Sequence, residues 1–338
     1  MALGMTMNGA NGATYDSMQN VLGFDGLSDS AINQSYQGLI TSLSALDPTV
    51  AFDIANSIWY RQGFSVESDF VSVNQKYFNA VVNPLNFNDP NAASTINAWV
   101  NQATNGKIPT IVTPPISPLA VMFLINAIYF KGTWTYQFDS TKTVLEPFAV
   151  PGTGSKNVPM MNQERNFLYY QNAALQMVDL PYGNGDYRMT VVLPAAGTDI
   201  DAFVASMNPT QWSSWIDGLD SAKVKLSLPR FTLQCNFDLK DPLSTMGMSI
   251  AFSFLTADFT RISDIPGLYI SAVKHKTYIK VGEEGTEAAA VTSVEIVAET
   301  VLPPDGSVTM DVNHPFIFAI RDAVSGTLIF VGKVINPS

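Results

Sequence analysis

The chain has 338 residues, 46% of them hydrophobic, enough to bury one large core or two ordinary ones. Only 14% are charged, against roughly 25% in a typical soluble protein, a balance that suits an extracellular protein. The net charge of −11 excludes nucleic acid as a partner, because phosphate binding needs clustered Lys and Arg and none occurs before Arg61.

The amino terminus, MALGMTMNGANG, lacks the basic start and long apolar centre of a signal peptide. The first third is helical in pattern. Between Ala31 and Leu46, apolar residues fall at Ile32, Tyr36, Leu39, Ile40, Leu43 and Leu46, a helical rhythm. A second helix is predicted from Pro90 to Thr104, capped by Asp89 and closed by Asn105-Gly106-Lys107. From Leu119 the chain turns to strands. Leu119 to Phe130 is apolar almost throughout, as expected of a strand buried on both faces; it is too short to span a membrane and contains Asn126. QMVDLPYGNGDYRMTVVLP reads as a hairpin around Gly183-Asn184-Gly185, and no following glycine and helix make that pair a phosphate loop. Strand-like runs recur at Val224–Leu228, Phe231–Phe237, Tyr269–Val281, Pro315–Arg321 and Thr327–Val334. Helices first and strands later, without steady alternation, predict an α+β fold.

Catalytic constellations are missing. Cys235 is the only cysteine, so no internal disulfide forms, and its strand-like surroundings mark it as structural. The two histidines are His275, read as a satisfied core or sheet residue, and His314, read as a surface residue ahead of Pro315. No Gly-x-Ser-x-Gly elbow supplies a nucleophile, and no His/Cys pair has zinc spacing, so no cofactor or metal is expected. Glu283 and Glu284 sit on a segment poorly built for positioned acid–base work. The chain reads as a non-enzyme whose chemistry a partner supplies.

One segment has a double character. From Thr286 to Leu302 there is no Pro and no Gly, yet VLPPDGS follows as a loop and the first third is rich in alanine. In a strand, alternate residues share a face. One face would carry Thr286, Ala288, Ala290, Thr292, Val294, Ile296 and Ala298, with no charge and nothing bulky before Val294. The other would carry Glu287, Ala289, Val291, Ser293, Glu295, Val297 and Glu299, which tolerate water. The segment therefore has a face for a core and a face for solvent.

Several stretches in order carry a family resemblance. They are STINAWVNQATNGKI (94–108), LINAIYFKGTW (124–134), the five-residue steps Phe138, Thr143 and Phe148, and VPMMNQ (158–163). HKTYIKVGEEGTEAAA (275–290) and the closing HPFIFAIRDAVSGTLIFVGKVINP (314–337) complete them. Together they resemble the serpins over nearly the whole chain. The resemblance implies helices around a large central mixed sheet, two further sheets and an exposed reactive loop. It implies a single serpin domain over 1–338 that begins partway along the family's second helix, with the hinge, loop and return segment at 283–314.

The activity implied is suicide inhibition. A serine or cysteine protease attacks the loop and becomes acyl-linked to it, and the loop then inserts into the main sheet and distorts the enzyme. The hinge would be Glu283, Glu284, Gly285, Thr286, Glu287, Ala288, Ala289 and Ala290. Counting from Glu283 places the bait bond at Glu299–Thr300, with Val297 and Ala298 as alternatives. No Arg or Lys lies between Gly282 and Asp311, which turns the reading from trypsin-like enzymes toward elastase-like or subtilisin-like ones. Sheet opening would be controlled by Asn126 and His275 as a polar pair, by Trp134 at the point of first insertion, and by Arg230 pairing with Glu283. The partner implied is a target serine protease held covalently by a monomeric extracellular inhibitor, with no membrane partner. Gly23 to Ala51 contains no basic residue, so no heparin is expected. The alternative function is a serpin-fold binding or carrier protein, or a protease substrate, whose loop does not insert.

Overall fold

The computed structural model describes residues 1–286 and 306–337. In chain order the elements begin with α1 (Ala2–Met7), α2 (Gly12–Val21), α3 (Asp29–Ala45), β1 (Ala51–Arg61), α4 (Ser68–Phe78), β2 (Val81–Leu85) and α5 (Ala92–Ala103). Then come β3 (Met122–Thr133), β4 (Val144–Val150), β5 (Gly154–Gln171), β6 (Leu175–Tyr182), β7 (Tyr187–Pro194), α6 (Ile200–Ser206) and α7 (Pro209–Asp217). The chain closes with β8 (Asp220–Pro229), β9 (Phe231–Asp238), α8 (Lys240–Leu243), β10 (Lys274–Gly282), β11 (Gly285–Thr286), β12 (Val308–Asp311), β13 (Phe316–Asp322) and β14 (Leu328–Val334). A six-stranded sheet has the order β2-β1-β3-β11-β10-β9. The chain forms two compact units: Met1–Ala45 with Phe52–Tyr129 and Gln234–Tyr278, and Leu46–Ala51 with Phe130–Leu233 and Ile279–Ser338.

In the first unit, α3 follows the rhythm read from its sequence. The Ser28 hydroxyl accepts the N–H of Ala31 at 3.2 Å, and Ile32 and Leu43 face inward. Asn8 and Asn33 exchange amide hydrogen bonds at 3.0 and 2.9 Å, which satisfies polar groups that burial would otherwise penalise. Met5, Met18, Ile58, Phe70 and Phe78 form the adjoining core.

Three sequence expectations are corrected in this unit. The first third is not wholly helical, because β1 and β2 run parallel there with Ser57 opposite Val81. The polar letters Asn56 and Ser57 disguise β1, yet both are buried and satisfied. Asn56 Nδ2 donates to the Phe78 carbonyl at 2.7 Å, and Ser57 Oγ accepts from Trp59 Nε1 at 3.0 Å. The second helix starts at Ala92, not Pro90, because the Asp89 carboxylate accepts the N–H of Asn91 at 2.8 Å and closes a turn before the helix. The apolar run from Leu119 enters its strand only at Met122; Leu119 is 86% exposed, and the first residues of β3 are half-buried.

The end of α5 is built for a sharp exit. Asn105 and Gly106 take left-handed φ values of 47° and 82°. Thr104 Oγ1 then accepts the N–H of Ile108 at 3.0 Å. Asn97 reaches from the helix to the following segment, accepting the N–H groups of Ile111 and Val112 at 2.8 and 2.9 Å and donating to the Val112 carbonyl at 2.8 Å. The chain between Lys107 and Thr110 is thereby held between two fixed points.

The second unit is built on an eight-stranded sheet of order β12-β8-β5-β6-β7-β13-β14, with β4 paired to β5. The two smaller sheets implied by the resemblance are joined here, because the 18-residue β5 runs through both. The β6–β7 hairpin forms as read, with Tyr182 opposite Tyr187. Its turn is pinned by Asp47, whose carboxylate accepts the N–H of Asn184 at 2.9 Å and comes so near Gly183 (φ 48°) that a Cβ there would lie 2.2 Å from it. Mid-sheet, the buried Asp179 pairs with Arg321, and Thr190 bridges them, bonding Asp179 at 2.5 Å and accepting from Arg321 Nε at 3.0 Å. His314 is half-buried, not a plain surface residue, and its Nε2 bonds the Pro194 carbonyl at 2.8 Å.

Candidate functional site

The double-natured segment begins in β11, whose two residues are the last described before residue 306. Gly285 and Thr286 form a two-residue strand with a partner on each side. Gly285 lies opposite Thr133 and Thr286 opposite Gly132 on β3, while Thr286 lies opposite Val281 and Gly285 opposite Gly282 on β10. Both pairings are antiparallel. The backbone of Gly285 sits at φ 150°, and a Cβ there would lie 2.0 Å from the Gly132 carbonyl oxygen. Only glycine fits a seat that close.

Thr286 is buried, and its hydroxyl shares a 2.6 Å hydrogen bond with the phenol of Tyr182. Burial drives the Tyr182 phenol well above its ordinary pKa, so it stays neutral and free to donate or accept. Tyr182 stacks on Trp134, with ring centroids 4.3 Å apart and planes 14° apart. Trp134 in turn donates from Nε1 to the Gly282 carbonyl at 2.9 Å and from its backbone N–H to the Glu284 carbonyl at 2.8 Å. The aromatic pair thus grips the tight turn between β10 and β11.

Glu283 anchors the same turn. Its Oε1 accepts from Arg230 Nε at 2.5 Å and from Thr143 Oγ1 at 2.6 Å, and its carbonyl accepts the N–H of Phe138 at 2.9 Å. Arg230 Nη2 meets the same carboxylate oxygen. Burial works to raise the Glu283 pKa, but the hydrogen bonds from Arg230 and Thr143 and the Arg230 charge outweigh it and hold the carboxyl below its ordinary range. Arg230 owes its place to β8 and β9, which it joins, and its own N–H bonds the Pro159 carbonyl at 3.0 Å. Neither Tyr182 nor Thr143 stands out in the sequence as a site residue. The signals are positional, Tyr182 ending the first arm of a clear hairpin and Thr143 falling in the five-residue steps that carry the resemblance.

Asn126 and His275 occupy the first unit, and they do not form a pair. Asn126 Nδ2 donates instead to Asn56 Oδ1 at 2.9 Å, which continues the chain of amides to Phe78. His275 makes no hydrogen bond among the described residues and is exposed on β10, so it is not a satisfied core histidine. Enough of the chain crowds the ring to lower its pKa by partial burial. Glu284 contributes its carbonyl to Trp134. Glu287, Ala288, Ala289 and Ala290 of the expected hinge, and Val297, Ala298, Glu299 and Thr300 around the expected bait bond, lie outside the described residues. Among the described residues, no cluster of His, Cys, Asp and Glu is arranged to hold a metal ion, and no helix is long and apolar enough to cross a membrane.

The family model for serpins, described as serine protease inhibitors, matches residues 1–337. The chain is a serpin. It is 34% identical to a serpin-like protein of the archaeon Thermococcus kodakarensis, over 99% of this chain and 78% of that protein. Its fold superposes on the native state of tengpin, a thermophilic serpin, with a TM-score of 0.90 and 34% identity, covering 99% of this chain and 86% of the other. A complex of thyroxine-binding globulin with thyroxine is also similar, at a TM-score of 0.86 and 27% identity, over 100% of this chain and 90% of the other. The α+β architecture is therefore the serpin fold.

Proposed function

We propose that this serpin is a suicide inhibitor of serine proteases, and that Gly285 and Thr286 are the seed of loop insertion. The observation that carries the reading is the pairing of these two residues on both sides, between β3 and β10. The next residues in sequence, Glu287 to Ala290, are small on the inward-facing alternation and raise little steric barrier to continued pairing. The protease serine attacks the carbonyl of the bait bond, which we place at Glu299–Thr300 with Val297 and Ala298 as the nearest alternatives. An ester forms, the bond to the following residue breaks, and the new amino terminus departs. The loop is then tethered at one end only. Each further residue that enters the sheet gains ladder hydrogen bonds on two sides, at about 0.5–1.5 kcal/mol each. Release of a constrained loop by a cut is a known class of switch, for which serpins are the standard example.

The roles follow from position. Glu283 and Arg230 fix the base about which the loop folds, Trp134 and Tyr182 hold the entry point, and Asn126 and His275 lie farther along β3 and β10, where the incoming strand must pass. The loop's lack of Lys and Arg favours a protease with an elastase-like or subtilisin-like pocket. We place this serpin outside the cell as a monomer with no heparin requirement, in keeping with its low charge density.

Incubation with a panel of elastase-like and subtilisin-like proteases tests the reading. The expected result is a covalent complex that survives denaturing electrophoresis, together with a rise in melting temperature of the cleaved serpin. The resemblance to thyroxine-binding globulin favours a second reading, a serpin-fold carrier. Cleavage of the loop without a complex and without a gain in melting temperature decides for that alternative.

A further inference from the structure

A cleft of about 430 Å³ opens in the first unit, between the segment that leaves α5 and the strands β9 and β10. Its roof is Lys107, Ile108, Pro109 and Thr110; its floor is Gln234, Cys235 and Asn236 of β9 with Lys276 and Thr277 of β10. The volume falls within the roughly 300–1,000 Å³ of small-ligand sites. The roof is a held segment: Thr104 and Asn97 fix the backbone at Ile108, Ile111 and Val112, as described above.

The charge of the lining runs against that of the whole molecule. The protein carries −11 overall, yet among the described residues the cleft is lined by two lysines and no carboxylate. The nearest acidic residue along β9, Asp238, is engaged by Lys274 at 2.7 Å. Lys276 Nζ donates to the Thr110 carbonyl at 2.5 Å, which fixes the ammonium between roof and floor, and an ammonium has further N–H donors to offer. Lys107 lies over the ring of Tyr278, 5.2 Å from its centroid, so its charge too is held in place by the floor strands. The amides of Gln234 and Asn236 add donors, and Ile108 and Pro109 supply an apolar wall.

We propose that this cleft is a binding site for a small organic anion, a carboxylate or phosphate head on a compact apolar body. The head lies between Lys107 and Lys276 and the body rests on Ile108 and Pro109. Charge-assisted hydrogen bonds to the two ammonium groups are the main source of affinity. Because the ligand joins the 107–110 segment to β9 and β10, it stabilises the folded chain in proportion to its occupancy. The site stands independently of the inhibitory reading.

The full chain is titrated by calorimetry with phenyl phosphate, with benzoate, and with sodium chloride at matched ionic strength, and amide hydrogen exchange is followed in parallel. The expected result is saturable binding of at least one organic anion and none of chloride, with exchange slowed in the 107–112 segment and in the adjoining parts of β9 and β10. Comparison of the two anions identifies the preferred head. Lys107→Met and Lys276→Met should each weaken binding by about tenfold or more. The proposal is overturned if neither anion binds at about 10 mM, which saturates even a millimolar site. It is equally overturned if binding leaves exchange in those segments unchanged, or if both variants fold and bind as the unaltered chain does. Should Lys276→Met fail to fold, Lys107→Met and the exchange pattern of the unaltered chain decide.

Discussion

The hydroxyl of Thr286 lies 2.6 Å from the phenol of Tyr182, a residue 104 positions earlier in the chain. Both groups are buried, so each is the other's means of avoiding a lost hydrogen bond. Thr286→Val keeps the shape of the side chain and strands the phenol. It should lower stability by about 1–3 kcal/mol in denaturant unfolding. Tyr182→Phe in the same background should return most of that loss. A double variant no better than Thr286→Val alone would show that the bond does not hold β11.

Gly285→Ala tests the seat itself. A Cβ 2.0 Å from the Gly132 carbonyl cannot be accommodated without moving backbone, and φ 150° is hostile to any other residue. The strand should leave its place between β3 and β10, with a loss of about 1–3 kcal/mol. Hydrogen exchange should report faster exchange of the Thr286 amide, and exchange at an unchanged rate would contradict the account.

Glu283 makes the turn between β10 and β11 sensitive to acid. Its carboxyl titrates below the ordinary value of 4.5 in the folded chain. A depressed carboxyl contributes stability above the unfolded pKa and loses it as pH falls through the folded one. Melting temperature should therefore drop from about pH 4.5 downward, and Arg230→Met should flatten that part of the profile. An identical slope in the variant would remove Arg230 as the cause.

Asp179→Ala should be among the most damaging single changes. It leaves Arg321, 4% exposed, as a buried charge without its carboxylate. Breaking a buried pair in this way costs about 3–5 kcal/mol. Replacing both, as Asp179→Leu with Arg321→Met, should cost much less in denaturant unfolding, because no charge is then stranded.

The sequence exposes this fold unevenly. The helix α3 can be read from its apolar rhythm, and the β6–β7 hairpin from two apolar runs around Gly183-Asn184-Gly185. β1 cannot, because its polar Asn56 and Ser57 break the apolar pattern, and Asn56 belongs in the interior only through the Phe78 carbonyl 22 residues on. The same limit applies at the site. Family likeness brings Glu283 and Arg230 together, and the geometry has them in contact. It also joins Asn126 to His275, whereas the amide goes to Asn56, a choice set by which strand faces which. Tyr182 and Thr143 are marked only by position, at the end of a hairpin arm and in the five-residue steps, and their contacts arise only when the turn after β10 folds against them.

Trp134 has an optical consequence. Its indole is 3% exposed, stacked on Tyr182 and hydrogen-bonded to Gly282, beside the two residues of β11. It is one of five tryptophans, so its emission stands out best when the others are replaced by phenylalanine. Any rearrangement of the turn it grips alters the polarity and quenching around the indole, and the protein therefore carries its own fluorophore at the place where we propose loop insertion begins.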